Sequence, residues 1–302
     1  MTHVKDQPYR GIFVALNSGY DHDGNISPSA IKKNTRFLAD KGVQGLYVGG
    51  SSGEGFLQTL DERKQVLEAV MEEVGGELTV IAQVGAIATR DSVELAKHAN
   101  SLNVDAISSV PPFYYKVSDA AVEKHWLTII HSTPLPFIIY HIPATTGFQL
   151  SMDLFRKMAA YDQVAGLKIT TASTYELQQF KRFGGEGFTV FNGPDEQYLA
   201  GRIMGADAGI GGTYGIMPEL FVNIEKAYVK GEIAEAQKWQ FAVNEILSDL
   251  LSLPVYGAIK EILKLRGLDC GGTRMPLEPV STDDLPKVKS IYDKIMQWVA
   301  SS

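Results

Sequence analysis

A lysine stands in the middle of an apolar stretch, VAGLKIT, at residues 164–170. Removing an ammonium from water is costly unless the group has a partner or a task. Lys168 therefore allows two interpretations. Its stem could lie in a strand while its head reaches water. Alternatively, a desolvated amine at this position could attack a carbonyl carbon and form a Schiff base.

Tyr140 is a candidate partner for this lysine, because it lies near the end of the preceding apolar run, PFIIYHI, at residues 136–142. Adjacent parallel strands lie about 4.8 Å apart, so the two side chains can meet if both point into one interior. A tyrosine beside an amine can relay a proton while an aldol bond is made or broken. The alternative is a core tyrosine whose hydroxyl is satisfied locally.

The segment GGSSGEG at residues 49–55 combines glycines with two adjacent hydroxyls, those of Ser51 and Ser52. Open backbone amides before a helix form an anion site, suited to a carboxylate or a phosphate. No Gly-Lys-Ser/Thr follows, and the dinucleotide spacing is absent, so nucleotide binding is not indicated. The alternative is a tight turn whose serines cap the next helix.

Acidic residues follow another apolar run, in NGPDEQ at residues 192–197. Asp195 and Glu196 could simply favour the positive end of a helix, or they could bind sugar hydroxyls. The six histidines form no HExxH pair and no tight group with carboxylates, so no metal site is predicted. A GxSxG nucleophile elbow is also absent. The residues therefore imply neither a metal nor a nucleotide cofactor.

Eight short apolar runs alternate with amphipathic segments and set the positions of these side chains. Seven are dense in Val, Ile, Phe or Tyr, as is typical of buried parallel strands, and the eighth is glycine-rich. This alternation predicts a (β/α)8 TIM barrel, with an open doubly wound sheet as the alternative. Active sites of such barrels lie at the carboxyl ends of the strands, where the candidate residues collect. The runs are residues 11–16, 45–50, 78–85, 105–110, 136–142, 164–170, 188–193 and 208–213.

Helical patterns fill the gaps between these runs and continue after them. After Gly231 the strand pattern stops, and residues 232–251, 255–267 and 282–300 each have the period of a helix. We therefore predict a barrel at residues 1–231 that carries the active site. Residues 232–302 are predicted to form a C-terminal three-helix extension packed on the barrel.

The composition excludes several classes of protein. The chain has 302 residues, 45% of them hydrophobic, and a net charge of -7, so no basic stripe is available for nucleic acid. The single Cys270 excludes an intrachain disulfide and fits a reducing cytoplasm. No run reaches the roughly 18 apolar residues of a membrane span, so no membrane partner is expected. Residues 1–10 are polar and lack the apolar segment of a signal peptide.

Together, GGSSGE (49–54), YHIPATTG (140–147) and GLKIT (166–170) resemble the N-acetylneuraminate lyase and dihydrodipicolinate synthase superfamily. PPFYYK (111–116) and the GPDE segment (193–196) extend the resemblance over most of the chain. Members are class I aldolases on a (β/α)8 barrel, usually tetramers, with a pyruvate Schiff base on the lysine of the sixth strand. The resemblance therefore implies a homotetramer, and no cofactor is implied.

The resemblance assigns roles to five matching positions. Lys168 would attack C2 of pyruvate, and Tyr140 would shuttle the proton at the aldehyde oxygen. Ser51 and Ser52, with their amides, would hold the pyruvate carboxylate. Tyr114, in PPFYYK, matches a tyrosine that a neighbouring subunit contributes to the site.

Other positions bear on the substrate. The resemblance implies contacts from Thr170 and from Gly211, at the end of the last strand. The GPDE segment resembles the loop of the sialic acid branch, where Gly193, Asp195 and Glu196 would contact the glycerol tail. Tyr256 matches an aromatic residue that lines the pocket in that branch.

Three departures bear on the choice of substrate. Synthases place an arginine where Thr145 stands, which disfavours the synthase reaction. His141 replaces the usual asparagine, and Gly212 replaces a serine that contacts the sugar tail. The expected activity is reversible cleavage of N-acetylneuraminate, a sialic acid, to pyruvate and N-acetylmannosamine. Other 2-keto-3-deoxy sugar acid aldolases and, less favoured, the synthase stay open, as does a non-catalytic barrel that binds a keto acid or sugar.

Overall fold

The computed structural model describes residues 9–301 and contains eight parallel strands that close into a barrel, with β1 paired to both β2 and β8. Every predicted apolar run forms a strand, including the glycine-rich one. The predicted (β/α)8 barrel is therefore confirmed. The strands are β1 Gly11–Ala15, β2 Gly45–Val48, β3 Thr79–Gln83, β4 Ala106–Ser109, β5 Phe137–His141, β6 Val164–Ile169, β7 Thr189–Asn192 and β8 Ala208–Gly211.

Helices surround the barrel and begin at the capping residues that the sequence offers. Ser27 accepts a hydrogen bond from the Ala30 amide, and Thr59 forms a capping box with Glu62. One short helix, α5, was not predicted. The helices are α1 Pro28–Asp40, α2 Leu60–Val74, α3 Thr89–Ser101, α4 Asp119–Ile130, α5 Pro143–Thr146, α6 Met152–Ala159, α7 Thr174–Gly184, α8 Tyr198–Ile203, α9 Pro218–Val229, α10 Ile233–Leu250, α11 Val255–Leu265 and α12 Leu285–Ala300.

Alternate residues of each strand face the barrel interior or the helix layer, and both faces are apolar. In β1, Phe13 belongs to the interior cluster, whereas Ile12 and Val14 belong to the larger cluster under the helices. Inside the barrel, the Phe13 and Phe191 rings meet edge to face with centroids 5.4 Å apart. Burial on both faces explains why the strands read as continuous apolar runs.

Strand register decides which side chains share the interior. The Cα of Lys168 in β6 is paired with Tyr140 of β5 on one side and with Phe191 of β7 on the other. Tyr140 and Phe191 both belong to the interior cluster, so Lys168 points inward with them. The register thus brings together the two residues that sequence analysis paired.

The three predicted helices after Gly231 are present as α10, α11 and α12, and α10 packs on α9 of the barrel layer. The Trp239 and Trp298 rings meet edge to face between α10 and α12. The division into a barrel at residues 1–231 and an extension at residues 232–302 stays a prediction. Within residues 9–301, none of the helices has the length and apolar character needed to cross a bilayer.

Candidate active site

The Lys168 side chain lies inside the barrel between two aromatic rings. Its Nζ is 4.1 Å from the ring centroid of Tyr140 and 4.5 Å from that of Tyr47. Only 5% of the residue is exposed, so the head does not extend into open water. Aromatic faces at this distance stabilise a positive charge.

Tyr47 was not identified from the sequence, although it forms half of this enclosure. Its ring meets that of Tyr140 edge to face at 5.8 Å, and its hydroxyl donates to Ser108 Oγ at 3.0 Å. Burial raises the pKa of Tyr47 well above its ordinary value, so the phenol is neutral. Because both faces of β2 are buried, no pattern in the second apolar run distinguishes Tyr47 as an inward residue.

The predicted anion site forms a rigid turn after β2. Residues Ser51–Gly53 adopt a 3₁₀ helix, whose first N–H groups have no acceptor within the helix. The loop after β1 forms two hydrogen bonds to this turn. Asn17 Nδ2 donates to Ser52 O at 3.0 Å, and Ser18 Oγ donates to Gly53 O at 2.7 Å. The turn is therefore preorganised, with amides that are available to an anion.

A cavity of about 240 Å³ opens beside this turn at the carboxyl ends of the strands. Ser51 and Tyr256 both line it. The serine expected to bind the carboxylate and the aromatic residue expected to line the pocket therefore lie at one cavity. Thr145, which stands where synthases have an arginine, lines this cavity too. Burial, followed by the proximity of Tyr140 and Glu54, raises the pKa of Tyr256.

A second cavity, of about 530 Å³, lies on the other side of the loop after β5. Within the described residues, the Thr170 and Thr171 hydroxyls are buried and have no hydrogen-bond partner. The wall of this cavity therefore contains two hydroxyls that no protein group among residues 9–301 satisfies. The predicted residues are thus divided between two openings that share the loop. The second opening is lined by Pro143, Ala144, Thr170, Gly193, Asp195 and Glu196, among others.

Asp195 is buried at the edge of this second cavity, and Glu196 beside it is exposed. Asp195 Oδ2 accepts from the Thr213 amide at 2.7 Å and from Thr213 Oγ1 at 2.6 Å. Burial raises the pKa of Asp195 to about 6, although both hydrogen bonds oppose the rise. Asp195 is therefore not a solvated residue at a helix start. Thr213, its partner, was not identified from the sequence.

Three glycines near the site are fixed by close contacts. A Cβ on Gly193 would lie 2.1 Å from Thr170 Oγ1, and one on Gly211 would lie 2.4 Å from Asp195 Oδ1. These two predicted residues therefore contribute by having no side chain, which lets Thr170 and Asp195 lie against the backbone. A Cβ on Gly212 would lie 2.5 Å from Ser52 Oγ, so the serine of other members would require Ser52 to move.

Tyr114 is the one predicted catalytic residue that a single chain does not bring to the site. Its side chain is 83% exposed, and its ring lies against that of Tyr115 with centroids 5.1 Å apart. Its φ of 78° is in the left-handed region, which costs a non-glycine residue on the order of 1 kcal/mol. A strained, exposed tyrosine next to the cavity residue Phe113 fits a role outside its own chain.

Two charged residues at the first cavity were also missed by sequence analysis. Glu54 lines the cavity, and Lys260 of α11 lies 3.1 Å from its carboxylate. Only the fold could reveal this pair, because 206 positions separate the two residues. Among residues 9–301, no three His, Cys, Asp or Glu side chains cluster as metal ligands would.

Comparison with known proteins places this geometry in a family. The sequence of residues 8–295 matches that of the dihydrodipicolinate synthetase family. The chain belongs to this family. Membership confirms the resemblance found in the sequence, and it extends over both the barrel and the three C-terminal helices.

Relatives within the dihydrodipicolinate synthetase family include proteins named N-acetylneuraminate lyase. The one from Mediterraneibacter gnavus is 42% identical over 293 residues, which cover 96% of this chain and 93% of the relative. The one from Salmonella typhimurium is 36% identical, covering 95% of this chain and 97% of the relative. The solved wild-type sialic acid aldolase of Ruminococcus gnavus superimposes with a TM-score of 0.95 at 41% identity, covering 96% and 98% of the two chains.

The raised pKa of Asp195 predicts a pH-dependent stability. Folding raises this pKa from 3.8 to about 6, so the carboxyl contributes stability below pH 3.8 that is lost as pH rises through 6. Asp195→Asn cannot titrate, and its carbonyl can still accept from Thr213. Relative to the parent, this variant should gain about 2 kcal/mol between pH 4.5 and pH 7.5.

Urea unfolding at both pH values measures this difference. Asp283→Asn, at an exposed carboxyl near α12, is the control and should show no comparable gain. An Asp195→Asn variant whose relative stability does not change with pH would show that the carboxyl is already ionised at low pH.

Proposed function

We propose that this protein is a class I aldolase that reversibly cleaves N-acetylneuraminate to pyruvate and N-acetylmannosamine. The observation that carries the proposal is the Lys168 amine, enclosed by Tyr47 and Tyr140 inside the barrel. The names of the relatives, N-acetylneuraminate lyase and sialic acid aldolase, support this substrate.

The reaction follows from the chemistry of an imine. The Lys168 amine attacks C2 of the open-chain keto acid, water leaves, and a protonated imine forms. Tyr140 gives its proton to the departing hydroxyl, so that water leaves, and the resulting phenolate then accepts the proton of the C4 hydroxyl while the C3–C4 bond breaks. The bonding electrons move to the imine nitrogen, so an enamine and an aldehyde result. Protonation of the enamine at C3 and hydrolysis then release pyruvate and the free amine.

The enclosure of Lys168 suits this sequence of steps. It holds the amine at a fixed place between two rings, out of bulk water. Once the imine is protonated, its positive charge lies where Nζ was, over the faces of Tyr47 and Tyr140. These faces stabilise the charge without acting as competing nucleophiles.

Recognition of the two ends of the substrate is assigned to the two cavities. The hydroxyls and amides of Ser51 and Ser52 would bind the carboxylate of the keto acid. Thr170, Asp195 and Glu196 would bind the hydroxyls of the sugar tail. Thr145 supplies no positive charge for a second carboxylate, which supports a sugar aldehyde over the synthase's acceptor.

One observation favours a second candidate, an aldolase for another 2-keto-3-deoxy sugar acid. Gly212 removes the serine hydroxyl that contacts the tail in the sialic acid branch, and Ser52 Oγ lies against the vacated position. Release of pyruvate from N-acetylneuraminate and from 2-keto-3-deoxygluconate, measured side by side, distinguishes the two. Faster release from the shorter acid would favour the second candidate.

We further propose a homotetramer in the cytoplasm. The exposed, strained Tyr114 supports association, because its ring has no place in the site of its own chain. A single buried cysteine, Cys270, supports a reducing compartment.

The aldolase proposal predicts a covalent adduct on one residue. Pyruvate and borohydride together should convert Lys168 to a stable secondary amine, because borohydride reduces the imine. Lys168→Ala should lose both trapping and turnover. Lys168→Arg should lose them equally, since a guanidinium stays charged and is not a nucleophile. Peptide mapping that locates the adduct elsewhere, or finds none in active protein, would refute the mechanism.

Specificity for the sugar tail should depend on Glu196 and not on the imine chemistry. Glu196→Gln should lower kcat/KM for N-acetylneuraminate by roughly 5- to 150-fold, the equivalent of about 1–3 kcal/mol for a lost hydrogen-bond partner. Pyruvate trapping at Lys168 should not change. Glu186→Gln, at the opposite end of the barrel, is the control. Equal losses in cleavage and trapping would contradict this division of roles.

The proposed contribution of Tyr114 across an interface can be tested by complementation. Tyr114→Ala and Lys168→Ala should each be inactive alone, and Tyr115→Ala should keep more activity than Tyr114→Ala. When the two inactive variants are dissociated and reassembled together, activity should return. The reason is that a hybrid pairs an intact Lys168 with an intact Tyr114 from its neighbour. Hybrids that form, as shown by native mass spectrometry, but stay inactive would overturn the proposal.

A further inference from the structure

A buried ion pair connects the C-terminal helices to the turn that follows β2. Lys260 Nζ of α11 lies 3.1 Å from Glu54 Oε1, and the two side chains are 3% and 0% exposed. Glu54 comes directly after the 3₁₀ helix Ser51–Gly53. Removing two charges from water is unfavourable unless their mutual attraction and further hydrogen bonds compensate for it. We therefore asked what this ion pair stabilises.

Lys260 also holds the loop that supports this turn. Its Nζ donates to Ser18 O at 2.7 Å and to Cys270 O at 3.3 Å, and it lies 4.3 Å from the ring centroid of Tyr20. Ser18 in turn donates its hydroxyl to Gly53 O. One ammonium therefore fixes the turn twice, directly through Glu54 and indirectly through Ser18.

Glu54 is held at both oxygens and in an unusual backbone conformation. Its φ of 57° is left-handed, and its Oε2 accepts from the Arg274 amide at 2.8 Å. The Arg274 guanidinium donates to Leu57 O at 3.2 Å and to Glu62 Oε2 at 2.7 Å. The segment after α11 thus crosses the turn and bonds to it at several points.

The same segment and helix form part of the cavity wall. Tyr256 of α11, with Pro276 and Leu277 beyond it, lines the first cavity together with Ser51 and Glu54. Because the Glu54 side chain is fully buried, a keto acid carboxylate bound at Ser51 would lie beside a wall that contains the Glu54 carboxylate. Two like charges in one poorly solvated space repel unless a cation lies between or beside them. Lys260 supplies that cation.

We propose that Lys260 is a positioning residue for the keto acid, which with Glu54 holds residues 51–54 in the carboxylate-binding conformation and offsets the negative charge of Glu54. This inference rests on the proposed aldolase function. Lys260 does not touch the substrate. The C-terminal helices therefore complete the pyruvate end of the site, in addition to packing on the barrel.

Saturation of borohydride trapping by pyruvate provides the readout, because it reports pyruvate binding without the sugar. Lys260→Met keeps an unbranched side chain, one atom shorter, but leaves Glu54 without its cation. The pyruvate concentration at half-saturation should rise roughly tenfold or more, the equivalent of about 1.4 kcal/mol. At saturating pyruvate, the adduct on Lys168 should still form, and KM for N-acetylmannosamine should change little.

Neutralising Glu54 separates the effect of charge from that of packing. Glu54→Gln keeps an acceptor for the Arg274 amide and removes the repelling charge. Half-saturating pyruvate should therefore increase in the order parent, Glu54→Gln, the double variant Lys260→Met/Glu54→Gln, and Lys260→Met alone. If Lys260→Met does not fold, comparing Glu54→Gln with the double variant still isolates the contribution of Lys260.

Arg266 provides a matched control at the end of the same helix. Its Nη2 lies 2.5 Å from Glu219 Oε1, and this pair is also largely buried. Arg266→Met should lower the urea midpoint, as the loss of a buried ion-pair partner does. Half-saturating pyruvate should stay at the value of the parent chain.

The role of Lys260 and the aldolase function are contradicted by different results. Folded Lys260→Met with unchanged half-saturation, or an equal rise in Arg266→Met, would overturn the role of Lys260. A double variant that binds pyruvate no better than Lys260→Met would overturn the charge argument. A parent chain that forms no adduct with pyruvate would refute the aldolase function itself, whereas normal trapping by the parent with unchanged variants refutes this inference alone.

Discussion

The Lys168 amine lies within 4.5 Å of two aromatic ring centroids, inside a closed barrel whose other interior side chains are largely apolar. An amine can lie there only because the strand register pairs Lys168 with Tyr140 and because Tyr47 is fixed by its bond to Ser108. The two rings lie where the positive charge of a protonated imine on Lys168 would lie.

Close packing at the carboxyl ends of the strands leaves little freedom for substitution. Gly193 and Gly211 allow Thr170 and Asp195 to approach the backbone more closely than any side chain would permit. The buried carboxyl of Asp195 and the left-handed backbone of Glu54 are both unfavourable features at the carboxyl ends of the strands. Such costs are typical of sites where geometry is held for a ligand, and the well-packed barrel below compensates for them.

The sequence predicted the barrel, its eight strands and the three later helices, because continuous apolar runs and capping residues are local signals. It also paired Lys168 with Tyr140, since strands that follow one another in the chain lie side by side in a (β/α)8 barrel. It did not reveal the pair of Glu54 and Lys260, because nothing local links a loop residue to a helix more than 200 positions later. Tyr47 was missed for another reason: one tyrosine in an apolar strand reads as core, and only the closed interior shows that it faces an amine.

The loop after β5 separates the two openings, with Thr145 and Thr146 on one side and Pro143 and Ala144 on the other. A molecule that occupied both openings would extend along both sides of this loop, so the width of the loop would limit the number of carbon atoms between its two ends. The helical turn of α5 gives the loop a fixed width, which a flexible connection would not have. Under the proposed function, the barrel would therefore select substrates by chain length as well as by hydroxyl pattern.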